Sequence, residues 1–272
     1  MNKFLLGILT ATVLLFSGCA TAPPRPYPAK PYPAAKAAPI TRVQKVALDP
    51  GHGGPDPGAI GRSFGLREKD VNLDIARRAA ELLRREGVQV VMTRANDSFI
   101  PLAKRAAIAN SAGADIFLSI HSNANRSRHL SGFEAYYVSP NVSDAKRALS
   151  AAKGPLPKLE SSCFGGNSPQ LRAIIWEMSY ASARAESIEM SRTACRWARE
   201  IAGAETLGVK GARFVVLREA RTPAALLEVW FLSNPQDERR LSNPVYRQQI
   251  AEAIVEGIRE YSQKARLVGG RK

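Results

Sequence analysis

KVALDPGHGG, residues 45–54, followed by VNLDIARRAAELLRREGVQVVMT, residues 71–93, is the stretch whose reading decides the fold. Residues 46–49 and 88–93 are short Val/Leu-rich runs without alternation, the pattern of strands covered on both faces. Between them residues 71–86 carry Asn72, Ile75, Ala76, Ala79, Leu82 and Leu83 on one helical face, and Gly87 ends the helix. Strand, helix and strand at this spacing predict a parallel βαβ unit. Working outward, residues 115–120, 133–138, 214–217 and 225–229 are further strand candidates. Pro101 opens a helix that ends near Gly113, and Asn243-Pro244 caps a last one with Ile250, Ile254, Ile258 and Tyr261 on its stripe. Residues 170–205 keep a helical period for longer than one usual helix, and Ser179 to Ser182 marks a point where it could break. The pattern predicts an α/β fold, a single three-layer α/β/α sandwich on a largely parallel or mixed sheet of about six strands.

Residues 1–18 read as an export signal: Lys3, an apolar run shorter than the ~20 residues of a spanning helix, then small residues. The ending LFSGC, residues 15–19, resembles the lipobox of bacterial lipoproteins. That resemblance implies acylation of Cys19 and, with Ala20 behind it, a place on the periplasmic side of the outer membrane. Residues 19–42 form a Pro/Ala/Lys-rich linker (APPRPYPAKPYPAAKAAP at 22–39), semi-rigid and without a core pattern. Residues 43–266 form the folded domain, with a Ser/Ala/Lys/Gly/Pro-rich insertion at 141–169, and a basic tail closes the chain at 267–272. The 272 residues carry 39 Lys+Arg against 24 Asp+Glu, a net charge of +15. In an exported protein that excess faces cell-wall polymers and lipid head groups rather than nucleic acid, or is simply a well-solvated basic surface. Three Cys and three His exclude a disulfide scaffold and a zinc-finger array.

No contiguous HExxH, GxSxG or GxxxxGK[ST] signature occurs, so a site must be assembled from separate segments. In a doubly covered sheet that place is outside the carboxyl ends of the strands. His52 follows the first strand, His121 follows IFLSI, and Glu228 interrupts an apolar strand. Glu68, just ahead of a helix cap at Asp70, falls on the same rim. Two His and one Glu are a catalytic zinc set with a position left for water, and a further carboxylate off the metal can shuttle its proton. His129, in RSRHL at 126–130, has no such placement and reads as solvated.

These segments resemble the zinc-dependent N-acetylmuramoyl-L-alanine amidases of bacterial cell-wall turnover. The matching motifs are ALDPGHGGPDPGAIG at 47–61, EKDVNLDIA at 68–76, MTRANDSFIPLAKRAAIAN at 92–110, FLSIHSNAN at 117–125, GVKGARFVVLR at 208–218 and LLEVWFLSNPQDERRL at 226–241. The resemblance implies that His52, Glu68 and His121 hold Zn²⁺ and that Glu228 is the catalytic acid/base. It implies as substrate the peptidoglycan amide between N-acetylmuramic acid and L-alanine. It makes Asp49 and Asn123 neighbours of the metal ligands or substrate contacts. Where the family has Thr-Gly after the catalytic Glu, this chain has Val229-Trp230, which reshapes the wall behind Glu228. Residues 141–186 lie where cell-separation members carry a helix over the zinc. The region is therefore a candidate regulatory insertion, with Glu160 or Glu177 capping the metal and a protein activator as a further partner. Cys163 and Cys195 are the thiols left for a disulfide if Cys19 is acylated. Two other functions are compatible with the same groups: a non-catalytic wall-binding or activator protein, and a zinc peptidase of the stem peptide.

Overall fold

A computed structural model describes residue 40 and residues 42–140 and 169–269. The signal, Cys19, most of the linker, Glu160 and Cys163 lie outside the described residues. Six strands, β1 (Lys45–Pro50), β2 (Gln89–Met92), β3 (Ile116–Asn123), β4 (Phe133–Val138), β5 (Thr206–Ala212) and β6 (Ala224–Phe231), form one sheet in the order β2-β1-β3-β6-β4-β5. The first four in that order run parallel; β4 joins β6 antiparallel, and β5 runs parallel to β4.

The helices are α1 (Glu68–Arg85), α2 (Leu102–Ala112), α3 (Pro169–Ala202), α4 (Val215–Arg218), α5 (Pro235–Ser242) and α6 (Pro244–Gly269). One sheet face buries Val46, Leu48, Ile116, Leu118, Ile120, Leu227 and Val229 in the core shared with α1, α3 and α6. The other buries Ala47, Phe117 and Leu226 with residues of the shorter α2 and α4. This is the expected α/β/α sandwich. Because side chains alternate across a strand, Asp49, Ser119, His121, Glu228 and Glu134 share the face covered by those two short helices. In the register of the sheet, His121 lies beside Glu228, and Glu228 beside Glu134.

Three expectations need correction, and one point the sequence left open, one helix or two after residue 169, is decided. Residues 214–217 are not a strand: Val215–Arg218 is a helical turn that buries Val216 and Leu217 in one cluster with Ala109, Phe117 and Leu226. The strand beside β4 is instead Thr206–Ala212, whose Gly208, Lys210 and Gly211 hide its strand character. Residues 169–202 form one helix, with no break at Ser179–Ser182. Helix α1 starts earlier than a cap at Asp70 implies: Glu68 is its first residue, with Arg67 as N-cap and no side-chain cap. Loop carbonyls do that work, since Ala59 O and Pro57 O accept from the N–H groups of Glu68 and Lys69 at 2.8 and 3.1 Å. The unforeseen α5 opens on Asn234-Pro235, and the Asn234 side chain accepts from the N–H groups of Gln236 and Asp237.

Candidate metal centre and active site

Chain direction alone delivers three polar groups to one end of the sheet. Strand β1 ends in Pro50, and the turn beyond it carries His52 at φ 60°, in the left-handed region. His121 sits near the end of β3, and Glu68 is the first residue of α1. Their ligand atoms all lie within 4.8 Å of one another. Glu68 Oε1 is 3.1 Å from His52 Nε2 and 2.9 Å from His121 Nδ1. The two imidazoles meet edge to face with centroids 5.0 Å apart.

The ligands are held from behind. Asp56 Oδ2 lies 2.8 Å from His52 Nδ1, which commits that nitrogen to a carboxylate and leaves Nε2 facing Glu68. Glu68 Oε2 accepts from Ala59 N–H at 2.8 Å, and Oε1 accepts from Ser122 N–H at 3.1 Å and from Asn72 Nδ2 at 3.3 Å. Two glycines make room. A Cβ on Gly51 would lie 2.2 Å from His121 Cε1, and one on Gly58 would lie 2.5 Å from Glu68 Oε2. Close backbone approach, rather than a helix motif, builds this cradle.

Charge follows geometry. Burial alone would raise the Glu68 carboxyl, but hydrogen bonds from His121 and His52 outweigh it and hold Glu68 far below the ordinary carboxylate range. His52 moves upward: burial opposes its charge, and Glu68 and Asp56 overcome that opposition. Two imidazoles and one ionised carboxylate pointing at one small space fit a catalytic zinc ion by donor type and number.

Glu228 has the opposite environment. Its Oε2 is buried without a hydrogen-bond partner among the described residues. Burial first, then the nearby Glu68 and Glu134 carboxylates, push its pKa well above 4.5. Glu134 is itself buried and well supplied: it accepts from Asn123 Nδ2 at 2.7 Å, from Tyr136 Oη at 2.8 Å and from Lys210 Nζ. The carboxyl beside the three converging side chains therefore holds its proton more readily than Glu68 does, a division of labour typical of acid/base sites.

His52, Glu68, His121 and Glu228 thus gather on one rim. Asn123 serves the Glu134 network. Asp49 is fully buried and accepts from Thr93, Ser119 and Arg105, so it supports the β1 turn rather than facing the cleft. Glu177 is exposed on α3 and is not one of the three converging ligands. Cys195 is buried, with Sγ 3.7 Å from Gly208 O. His129 is exposed. Asp56 and Glu134 are additions. Glu134 carried a visible signal, an acid at an inward position of FEAYYV, the same signal that exposed Glu228.

The family model described as N-acetylmuramoyl-L-alanine amidase matches residues 46–260. N-acetylmuramoyl-L-alanine amidase AmiA of Escherichia coli is 33% identical over 218 residues, covering 79% of this chain and 75% of the relative. N-acetylmuramoyl-L-alanine amidase AmiC of Escherichia coli is 37% identical over 223 residues, covering 79% of this chain and only 52% of the relative. Among solved structures, the N-acetylmuramoyl-L-alanine amidase from Clostridium difficile superimposes with a TM-score of 0.63 at 29% identity, covering 81% of this chain and 97% of the other. AmiC2 of Nostoc punctiforme gives a TM-score of 0.59 at 31% identity, covering 80% and 97%.

Proposed function

The chain belongs to the N-acetylmuramoyl-L-alanine amidase family, and from that premise we propose how its own residues cleave the amide between N-acetylmuramic acid and L-alanine in peptidoglycan. His52, Glu68 and His121 hold Zn²⁺, which when bound supplies Lewis acidity toward the amide carbonyl and toward water. Asp56 keeps the His52 ring in the ligating orientation. Glu228 takes the proton of the attacking water and delivers it to the departing alanine nitrogen. The observation that carries this reading is a half-buried carboxyl, its Oε2 buried and unpartnered among the described residues, beside the three converging side chains. A carboxyl raised toward the operating pH exchanges its proton in both directions.

The substrate lies in the cell wall, and we assign Cys19 as the lipid attachment point on the periplasmic side of the outer membrane. The proline-rich linker would let the domain reach peptidoglycan. Loss of metabolic palmitate labelling in Cys19→Ala tests the anchor; labelling that persists refutes it.

Digestion of purified peptidoglycan tests the chemistry. New L-alanine amino termini are expected, abolished by chelation, restored by Zn²⁺, and absent in Glu228→Gln. Cleavage only within the stem peptide would make the enzyme a peptidase, and no cleavage with zinc bound would make it a wall-binding protein.

A further inference from the structure

The turn after β1 hands three consecutive carbonyls, those of Pro50, Gly51 and His52, to two buried arginines. Arg94 and Arg105 are 3% and 2% exposed. Arg105 donates from Nη1 to Pro50 O at 2.8 Å and to Asp49 Oδ1 at 2.9 Å, and from Nη2 to His52 O at 2.8 Å. Its Nε donates to Ile100 O at 2.8 Å. Arg94 donates from Nε to Pro50 O at 2.9 Å and from Nη1 to Asn96 O at 3.1 Å. Its Nη2 bridges two segments, reaching Gly51 O at 2.8 Å and Lys69 O at 2.9 Å.

That bridge joins the neighbour of one ligand to the neighbour of another, because Gly51 precedes His52 and Lys69 follows Glu68. A planar guanidinium offers five donors in a fixed fork, so it can set the separation of two carbonyls; an ammonium radiates from one point on a flexible stem. Burying two guanidiniums is a poor route to stability, since an apolar core of the same volume often serves as well or better. The arrangement does, however, fix the backbone where His52 must hold a left-handed conformation.

We propose that Arg94 is a positioning residue that sets the distance between the His52 and Glu68 segments, with Arg105 locking the His52 carbonyl. The ligand trio is thereby shaped before the metal arrives. The inference rests on the zinc reading above and concerns groups that do not touch the ion.

Competition with a chromogenic chelator measures Zn²⁺ affinity for the full chain and for Arg94→Lys. Affinity should fall ~10–100-fold in the variant, with the visible spectrum of the Co²⁺-loaded form altered. A folded variant with unchanged affinity and an unchanged Co²⁺ spectrum overturns the proposal. Hydrogen exchange on the zinc-free wild type decides the matter if the variant fails to fold. Residues 50–58 and 68–70 should already be protected, and adding Zn²⁺ should change their exchange little. Protection acquired only with Zn²⁺ would show that the ion shapes the loop, and the clamp would fall. A wild type that binds no Zn²⁺ would defeat the zinc reading itself, an outcome separate from either result.

Discussion

Trp230→Gly sets two physical effects against each other. Trp230 sits at φ 67° in the bulge where β6 slips against β3, between His121↔Glu228 and Asn123↔Phe231. Glycine holds this conformation without steric cost, so replacing Trp230 should relieve about 1–2 kcal/mol of backbone strain. Removing Nε1, which is buried without a hydrogen-bond partner among the described residues, should return about 1 kcal/mol more. Against this, the indole is 0% exposed and packs edge-on against Phe133 and Tyr246, at centroid separations of 6.2 and 5.2 Å. Truncating such a side chain costs about 3–5 kcal/mol, and glycine's extra chain entropy adds about 0.5–1 kcal/mol. Packing therefore wins, and the variant should be less stable by about 2 kcal/mol. For a domain of this size that lowers Tm by ~4–8 °C. Urea melts of the zinc-free protein measure the difference directly, and peptidoglycan turnover reports whether Glu228 is displaced. A Trp230→Gly variant as stable as the wild type, or more stable, would refute the balance: strain would then outweigh burial. Trp230→Phe, which keeps the strain but loses the unpaired N–H, should fall between the two.

Glu228→Gln should lower kcat by ~10²–10⁴-fold while stabilising the zinc-free fold near neutral pH. A carboxyl raised above 4.5 by folding lends its stability fully below that value and loses it as pH rises through the folded pKa. The difference in Tm between variant and wild type should therefore grow from pH 4.5 upward; a pH-independent difference counts against the assignment. Glu68→Gln should behave oppositely, since a carboxylate depressed by folding contributes stability above its unfolded pKa and loses it as pH falls. Its stability deficit should be largest at neutral pH and shrink in acid, and an acid-insensitive deficit would contradict the ion-paired geometry. Glu134→Gln removes a like charge near Glu228, so the Glu228-dependent limb of the pH–kcat/KM profile should move to lower pH; an unmoved limb would remove Glu134 from its electrostatics. Gly51→Ala places a methyl carbon 2.2 Å from the His121 ring, so metal stoichiometry by mass spectrometry should drop; full occupancy would mean that the ring can move aside.

How much of this was legible depended on what each residue bonds to. His52, His121 and Glu228 stood out because each is a polar group at the end of, or within, an apolar run, and a covered strand tolerates such a group only at its rim or for chemistry. Glu134 carried the same mark in FEAYYV. The start of α1 was misplaced because its first N–H groups are met by the carbonyls of Pro57 and Ala59, partners that no local cap rule reveals. Residues 206–212 hid their strand behind two glycines and a lysine, while FVVL at 214–217 looked extended although Val215–Arg218 forms a helical turn. Local preference was decided in both cases by neighbours, Tyr136 and Phe214 among them. Arg94 and Arg105 were invisible for a deeper reason. Their partners are mostly backbone carbonyls, which every residue possesses, so no side-chain pattern in the sequence records the bond. Trp230 shows the converse: the family resemblance marked the missing glycine, but only the packing against Phe133 and Tyr246 explains how a bulky residue holds a glycine's conformation. Groups that act on a substrate contrast with their sequence surroundings, whereas groups that hold the backbone in place need not, and the supporting half of the site therefore required the folded chain.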